Sequence, residues 1–106
     1  MSNERDGFMS DEIPEHLRSS LELVKRAYPE GVPEADYLPL LAALYEYFSD
    51  RNLAELTTFW SDRDYHVCLN DVYKAAAGKL DTARVHERLL AAGLKEWEKE
   101  EDPPPV

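Results

Sequence analysis

The histidines and the single cysteine of this chain are its first candidates for metal chemistry. His66 and Cys68 are two positions apart, and on a helix such side chains point about 200° away from each other, so they cannot share one ion without distortion. Asp62, Asp64 and His66 have the alternating spacing that opens a calcium loop. However, Val67 stands at the sixth position, where such a loop needs glycine. We predict no metal and no other cofactor.

The sequence also contains no motif of nucleophilic catalysis. No serine lies in a Gly-x-Ser-x-Gly elbow. Cys68 stands between Val67 and Leu69, and apolar surroundings raise the pKa of a thiol and make it unreactive. The four glycines are far apart in the sequence, so there is no glycine-rich phosphate loop. We therefore predict no catalytic residue and expect that the protein is not an enzyme.

Four aromatic residues are candidates for a protein interface. Tyr45 and Tyr47 lie off the main apolar stripe of the second predicted helix, and Trp60 and Tyr65 flank a polar turn. Tyrosine and tryptophan on rigid helices are typical interface anchors. The alternative is that these side chains belong to the core, because a small bundle has few places to bury aromatic rings.

The net charge of −10 restricts the possible partners. Repulsion by phosphate groups disfavours nucleic acids and anionic membranes. Arg84 and Arg88 could belong to a DNA-reading helix-turn-helix, but acidic residues interleave them, which is typical of a solvated helix face. A basic protein is the partner that this charge would steer towards the chain.

Length and composition favour one domain, which we expect to be cytoplasmic. The 106 residues suffice for a single core. No apolar run approaches the roughly 20 residues that span a bilayer, and no secretion signal is visible. We expect residues 13–94 to form a single helical domain, residues 1–12 to be a disordered acidic lead, and residues 95–106 to be a solvated acidic tail that ends in prolines. Trp97 is the one tail residue that could fold back onto the domain.

Apolar spacing predicts five short helices and no strands. The fold class is therefore all-α, a compact orthogonal bundle of about five short helices with acidic, flexible termini. The first helix is expected from about Pro14 to Tyr28, where Pro29 stops it, and the fourth from about Tyr65 to Ala77. The predicted capping residues are Asp36 for the second helix, Ser49 or Asp50 for the third, and Asp81 for the fifth, with Gly78 and Gly93 as left-handed terminators of the fourth and fifth.

The same spacing assigns an inward face to each helix. The second helix is predicted to bury Tyr37, Leu40, Leu41, Leu44 and Phe48. The third carries Leu53, Leu56, Phe59 and Trp60, and the fourth is predicted to bury Leu69, Val72, Tyr73 and Ala76.

One stretch also resembles a known family. The sequence Tyr28-Pro29-Glu30-Gly31-Val32-Pro33, followed by Asp36-Tyr37 and by Pro39-Leu40-Leu41-Ala42-Ala43-Leu44, looks like the hallmark of small actinobacterial proteins grouped as domain-of-unknown-function family 3349 (DUF3349). Asp81, Val85, Arg88-Leu89 and the closing Ala91-Ala92-Gly93 fit the same pattern, so the similarity covers residues 17–94. The resemblance implies a compact bundle of about five helices and no assigned activity.

Three functions are open at this point. The first is a small non-catalytic module that binds another protein, with a basic partner favoured by the charge. The second is a small-molecule or catalytic groove between helices one, two and five. The third, a special case of the first, is an immunity or antitoxin-type inhibitor of a basic protein. The oligomeric state cannot be predicted.

Overall fold

The computed structural model describes residues 13–100, so the predicted lead at residues 1–12 and the end of the predicted tail at residues 101–106 lie outside the described residues. Within the described range the chain forms a compact all-α bundle without strands, as predicted. Its elements are α1 (Glu15–Ala27), α2 (Glu34–Leu44), a 3-10 turn (Tyr45–Tyr47), α3 (Asp50–Ser61), α4 (Tyr65–Ala77), α5 (Ala83–Ala91) and α6 (Leu94–Glu100).

Local chemistry explains most of the helix boundaries. The hydroxyl of Ser49 accepts from the N–H of Asn52 at 3.1 Å and so caps α3 as predicted. The carboxylate of Asp64 caps α4 in the same way. Gly93 follows α5 with a φ of +109°, the left-handed conformation expected for it.

Gly78 does not take the left-handed conformation predicted for it. Its φ is −84°, and its N–H donates to the carbonyl oxygen of Lys74 at 3.1 Å before the chain leaves α4 in an extended conformation. The helix therefore ends by an ordinary last hydrogen bond and not by a left-handed turn.

The core lies between α1, α2, α3 and α4, and α5 and α6 close its open side. The connection between α3 and α4 is only three residues long, and these helices form a closely packed hairpin against which α2 and α1 lie. The largest fully buried side chains are all aliphatic: Leu17, Leu23, Leu40, Leu41, Leu44, Leu53, Leu56, Leu89, Leu94, Val24, Val72 and Val85. This apolar centre holds the helix ends in fixed positions.

Asp36 is not the cap of α2. The helix begins two residues earlier, after Pro33, and the N–H of Asp36 donates to the carbonyl oxygen of Pro33 at 2.9 Å. Asp36 lies within the first turn and only 3% of it is exposed. Its carboxylate is bound by side chains from α1 and α5, as described below.

The buried face of α4 is also different from the predicted one. The helix buries Cys68, Asp71, Val72 and Ala75, whereas Tyr73 is 51% exposed and Leu69 only half-buried. Apolar residues occur around most of this helix, so their spacing gives no unique face. The polar Asp71 lies inside because two partners neutralise the cost of burying its charge.

Residues 95–100 are helical and do not form the solvated tail that was expected. Leu94 and Trp97 of α6 are buried, and the ring of Trp97 lies edge-on to Tyr47 at 5.4 Å between centroids and 5.9 Å from Phe48. Trp97 therefore packs on the body, a point that the sequence had left open. Leu94 and Trp97 anchor this acidic helix, while Lys95, Glu96 and Lys99 are exposed.

Candidate functional site

A groove opens where α1 ends, beside the turn that leads into α2 and the last turn of α3. Its volume is about 210 Å³, and we call it the aromatic groove. It is lined by Val24, Lys25, Tyr28, Pro29, Gly31, Val32, Phe59 and Trp60. Seven of these eight residues are apolar or aromatic, or a glycine, so the groove offers an apolar surface with one cation at its wall.

The backbone of the turn fixes one wall of this groove. Pro29 cannot continue α1, and Gly31 has a φ of +101°, which side chains with a Cβ rarely adopt. The N–H of Gly31 donates to the carbonyl oxygen of Tyr28 at 3.0 Å and closes the turn. A Cβ on Gly31 would meet nothing within 4 Å, so the backbone conformation and not the space selects glycine here.

Trp60 forms the other wall with Phe59. Its ring lies edge-on to Tyr37 at 5.6 Å between centroids. Its indole Nε1 is buried and has no hydrogen-bond acceptor among the described residues. A buried donor without an acceptor lowers the stability of the folded protein by about 1–3 kcal/mol, unless another group accepts from the nitrogen.

Behind the turn, a polar cluster ties α1, α2 and α5 together. The hydroxyl of Tyr28 donates to the carboxylate of Asp36 at 2.9 Å, and Arg84 binds the second carboxylate oxygen. Arg88 lies over the ring of Tyr28, 4.2 Å from its centroid, and donates two hydrogen bonds to the carbonyl oxygen of Ala27 at 3.0 and 2.7 Å. The cation therefore stabilises the carbonyl end of α1 as well as the aromatic ring.

A second cluster of the same composition ties α2 to α4. The hydroxyl of Tyr37 donates to Asp71 at 2.7 Å, and the guanidinium of Arg63 lies 4.0 Å from the centre of the Tyr37 ring. Arg63 also reaches Asp71 at 3.5 Å and Glu34 at 3.1 Å. Since Tyr37 touches Trp60, this cluster supports the floor of the aromatic groove.

These contacts decide which groups could act in catalysis. Burial, together with the bond to Asp36, raises the pKa of Tyr28 to about 12, and burial with the bond to Asp71 raises the pKa of Tyr37. Both hydroxyls therefore stay protonated near neutral pH and act as donors. Both buried carboxylates are bound by a tyrosine and an arginine, so neither is available as a general base.

The cysteine is also held in an unreactive form. Cys68 is fully buried, and burial raises the pKa of its thiol. Its sulfur lies 3.7 Å from the hydroxyl of Ser61 and from the carbonyl oxygen of Arg63. A buried, protonated thiol is a poor nucleophile and a poor metal ligand. Across residues 13–100, no three His, Cys, Asp or Glu side chains come together as a metal-binding group.

The structure separates the four predicted interface residues. Trp60 lines the aromatic groove, and Tyr65, one short turn later, is half-buried with its ring edge-on to His66 at 5.8 Å. Tyr45 and Tyr47 lie beside the opposite end of α3, and about 15 Å of helix separates that end from Trp60.

The two tyrosines of the 3-10 turn have different environments. Tyr45 is 37% exposed, and a hydrogen bond with Asp50 raises its pKa. Tyr47 packs on Trp97 and donates to Glu98 at 2.5 Å, and burial with this bond raises its pKa to about 12. Tyr47 therefore holds α6 in place, whereas Tyr45 is accessible to a partner.

Sequence reasoning did not single out Tyr28, Val32 or Phe59 as site residues. The available signal was the unusual turn at residues 28–33, which supplies half of the groove lining. The sequence also left open a groove at the junction of helices one, two and five, and it stays a prediction. At that junction lies the cluster of Tyr28, Asp36 and Arg84.

The fold and this groove place the chain among small all-α proteins with an apolar surface recess. In this chain each of two buried tyrosine–aspartate pairs is also bound by a partly exposed arginine. The family model described as "Protein of unknown function (DUF3349)" matches residues 15–98, and the chain belongs to this family. No curated protein and no solved structure matches the chain significantly. None of the described helices is long and apolar enough to cross a membrane.

Proposed function

We propose that this DUF3349 protein is a small non-catalytic module that binds another protein through the aromatic groove. The observation that carries the proposal is that the half-buried side chains of Phe59, Trp60 and Val32 surround one apolar recess, on a scaffold that the hydrogen bonds of Tyr28 to Asp36 and of Tyr37 to Asp71 hold together. Aromatic side chains in a preformed recess bind a partner at little cost in conformational entropy.

The size of the groove favours a partner side chain over a metabolite. Pockets for small molecules usually measure about 300–1,000 Å³. The aromatic groove has about 210 Å³, and a cavity of about 150 Å³ holds a benzene ring. The groove therefore has room for one or two apolar side chains of a larger molecule.

Charge supports a protein partner of basic character. The net charge of −10 would speed the encounter with a basic surface, and salt would weaken that effect. The same charge disfavours nucleic acid as the partner. A cytoplasmic location remains our expectation for this function.

Two matched substitutions test the proposal. Val32→Asp places a carboxylate in the groove, and Val67→Asp makes the same change on an exposed valine of α4 that does not line it. The wild-type protein and both variants, each checked for helicity by circular dichroism, are immobilised and exposed to a lysate of the source organism at low and high salt.

We expect wild type and Val67→Asp to capture the same protein, more of it at low salt, and Val32→Asp to lose it. Mass spectrometry identifies the captured chain. If no protein is recovered at either salt concentration, or if all three baits recover it equally, the proposed function is wrong.

A further inference from the structure

We infer that two copies of this chain pair through the exposed side of α4, with the two helices antiparallel. This pairing goes beyond the proposed function and uses another surface, since no residue of α4 lines the aromatic groove. Three observations carry it: the residues that α4 exposes, a tyrosine beside them, and the charges at the two ends of the helix.

The exposed side of α4 carries almost no charge. Among the seven exposed residues of this helix, Lys74 is the only one with a formal charge at neutral pH. In α1 and α6, by contrast, every exposed residue with a described side chain is charged apart from His16. An uncharged helix side is therefore unusual on this acidic surface, and depletion of charged residues is what distinguishes the centre of a protein interface from the remaining surface.

The apolar residues of this side form one stripe. Leu69, Tyr73 and Ala76 follow one another at spacings of four and three, and Ala77 follows Tyr73 by four, which places all of them on one side of the helix. We call these four residues the uncharged face of α4. Tyr73 is 51% exposed, and the two alanines are exposed and short, so a second helix can approach closely.

Tyr45 of the 3-10 turn widens the uncharged face. The hydrogen bond with Asp50 raises the pKa of Tyr45, and the hydroxyl of Tyr73 raises it further. The two exposed tyrosines are therefore neighbours. Tyrosine is enriched among the residues that supply most of the binding energy in protein interfaces, so this pair is suited to the centre of a contact.

The charges at the two ends of α4 favour a second copy as the partner. Asp62 and Asp64 precede the helix, whereas Lys74 lies in its last turn and Lys79 just after it. None of these four residues forms an ion pair with another described residue. When two copies of α4 pair antiparallel, the basic end of each meets the acidic end of the other. The surface is thus complementary to itself, as a two-fold symmetric interface requires.

A substitution within the uncharged face tests the contact. Ala76→Glu puts a carboxylate into this face, and Ala91→Glu makes the same change at an exposed alanine of α5. Each variant is checked for helicity by circular dichroism, and sedimentation equilibrium of the full chain at concentrations up to about 1 mM gives the dissociation constant of the dimer.

We expect wild type and Ala91→Glu to dimerise with dissociation constants within about twofold of each other, and Ala76→Glu to dimerise at least about tenfold more weakly. A wild-type protein that stays monomeric over the whole concentration range overturns the inference. Equal dimerisation of all three proteins would place the contact on another surface and overturns it as well.

Charge reversal tests the antiparallel arrangement. Lys74→Glu/Lys79→Glu makes both ends of α4 acidic, and Lys95→Glu/Lys99→Glu changes the net charge by the same amount on α6. Because two-fold symmetry makes each substitution count twice in the dimer, we expect the first variant to dimerise at least about tenfold more weakly than wild type and the second to stay within about threefold. Equal weakening in both variants overturns the pairing of the charged ends.

Discussion

The hydroxyl of Tyr37 tests whether the buried polar clusters stabilise the bundle. It donates to Asp71 at 2.7 Å, and both residues are buried. Tyr37→Phe keeps the ring, its edge contact with Trp60 and its position under Arg63. The change removes the donor to Asp71 together with the weaker interactions of the hydroxyl with Arg63 and Cys68.

The expected loss of stability follows from the hydrogen-bond partners that Asp71 keeps after the substitution. Its remaining partner is Arg63 at 3.5 Å, which is too long for a strong hydrogen bond, so the substitution leaves a buried carboxylate poorly satisfied. Hydrogen bonds to charged groups contribute about 1.5–3 kcal/mol. We expect the free energy of unfolding to fall by about 2 kcal/mol and Tm by roughly 10 °C.

Urea unfolding followed by circular dichroism measures this loss. Tyr73→Phe is the matched control, because Tyr73 is 51% exposed and a surface substitution usually changes stability by less than about 0.5 kcal/mol. The double variant Tyr37→Phe/Asp71→Asn should lose less than the sum of the single changes, since both act on one bond. If Tyr37→Phe costs no more than Tyr73→Phe, the clusters are not stabilising and the argument for a rigid groove is refuted.

Three further predictions concern pH, a glycine and α6. Folding raises the pKa of Tyr28 from 10.0 to about 12, so the protonated hydroxyl stabilises the fold fully below pH 10 and loses this effect as the pH rises towards 12. Tm should therefore fall over this pH window, and less steeply in Tyr28→Phe. An equal slope in the two proteins would contradict the raised pKa of Tyr28. Gly93→Ala, at a φ of +109°, should lower the free energy of unfolding by about 1–2 kcal/mol in urea melts, more than Gly78→Ala at −84° does. Trp97→Ala should cost about 3 kcal/mol and increase hydrogen exchange throughout α6, and unchanged exchange would show that another contact anchors this helix.

Features set by nearby residues were predictable from the sequence. Pro29 stops α1, Ser49 caps α3, and α4 has the predicted bounds of Tyr65 and Ala77. Each of these depends on chemistry within a few residues: a missing N–H, a hydroxyl that reaches a free amide, or a polar turn before an apolar run. Such local signals predict helix boundaries correctly because they do not depend on how the rest of the chain packs.

Features set by distant partners were not predictable. Asp36 was taken for a helix cap because aspartate accepts hydrogen bonds from the free amides at a helix start, but Tyr28 and Arg84 satisfy it inside the bundle. Asp71 is likewise satisfied inside the bundle, because it accepts a hydrogen bond from Tyr37, which lies 34 positions away in the sequence. A buried carboxylate depends on a partner that the pattern of one helix cannot reveal. Apolar spacing therefore predicted Val72 correctly but placed Tyr73 and Ala76, which are exposed, inside and missed Asp71.

One wall of the aromatic groove is set by nearby residues, and the other depends on distant parts of the chain. Its first wall is the turn at residues 28–33, whose prolines and glycine marked it as unusual in the sequence. Its second wall, Phe59 and Trp60, was assigned to the buried face of the third helix, and both residues are in fact only half-buried. Whether a side chain at the edge of a buried face is covered depends on where the neighbouring helix ends. Since Pro29 ends α1 there, the same proline that builds the first wall also leaves the second wall only partly covered.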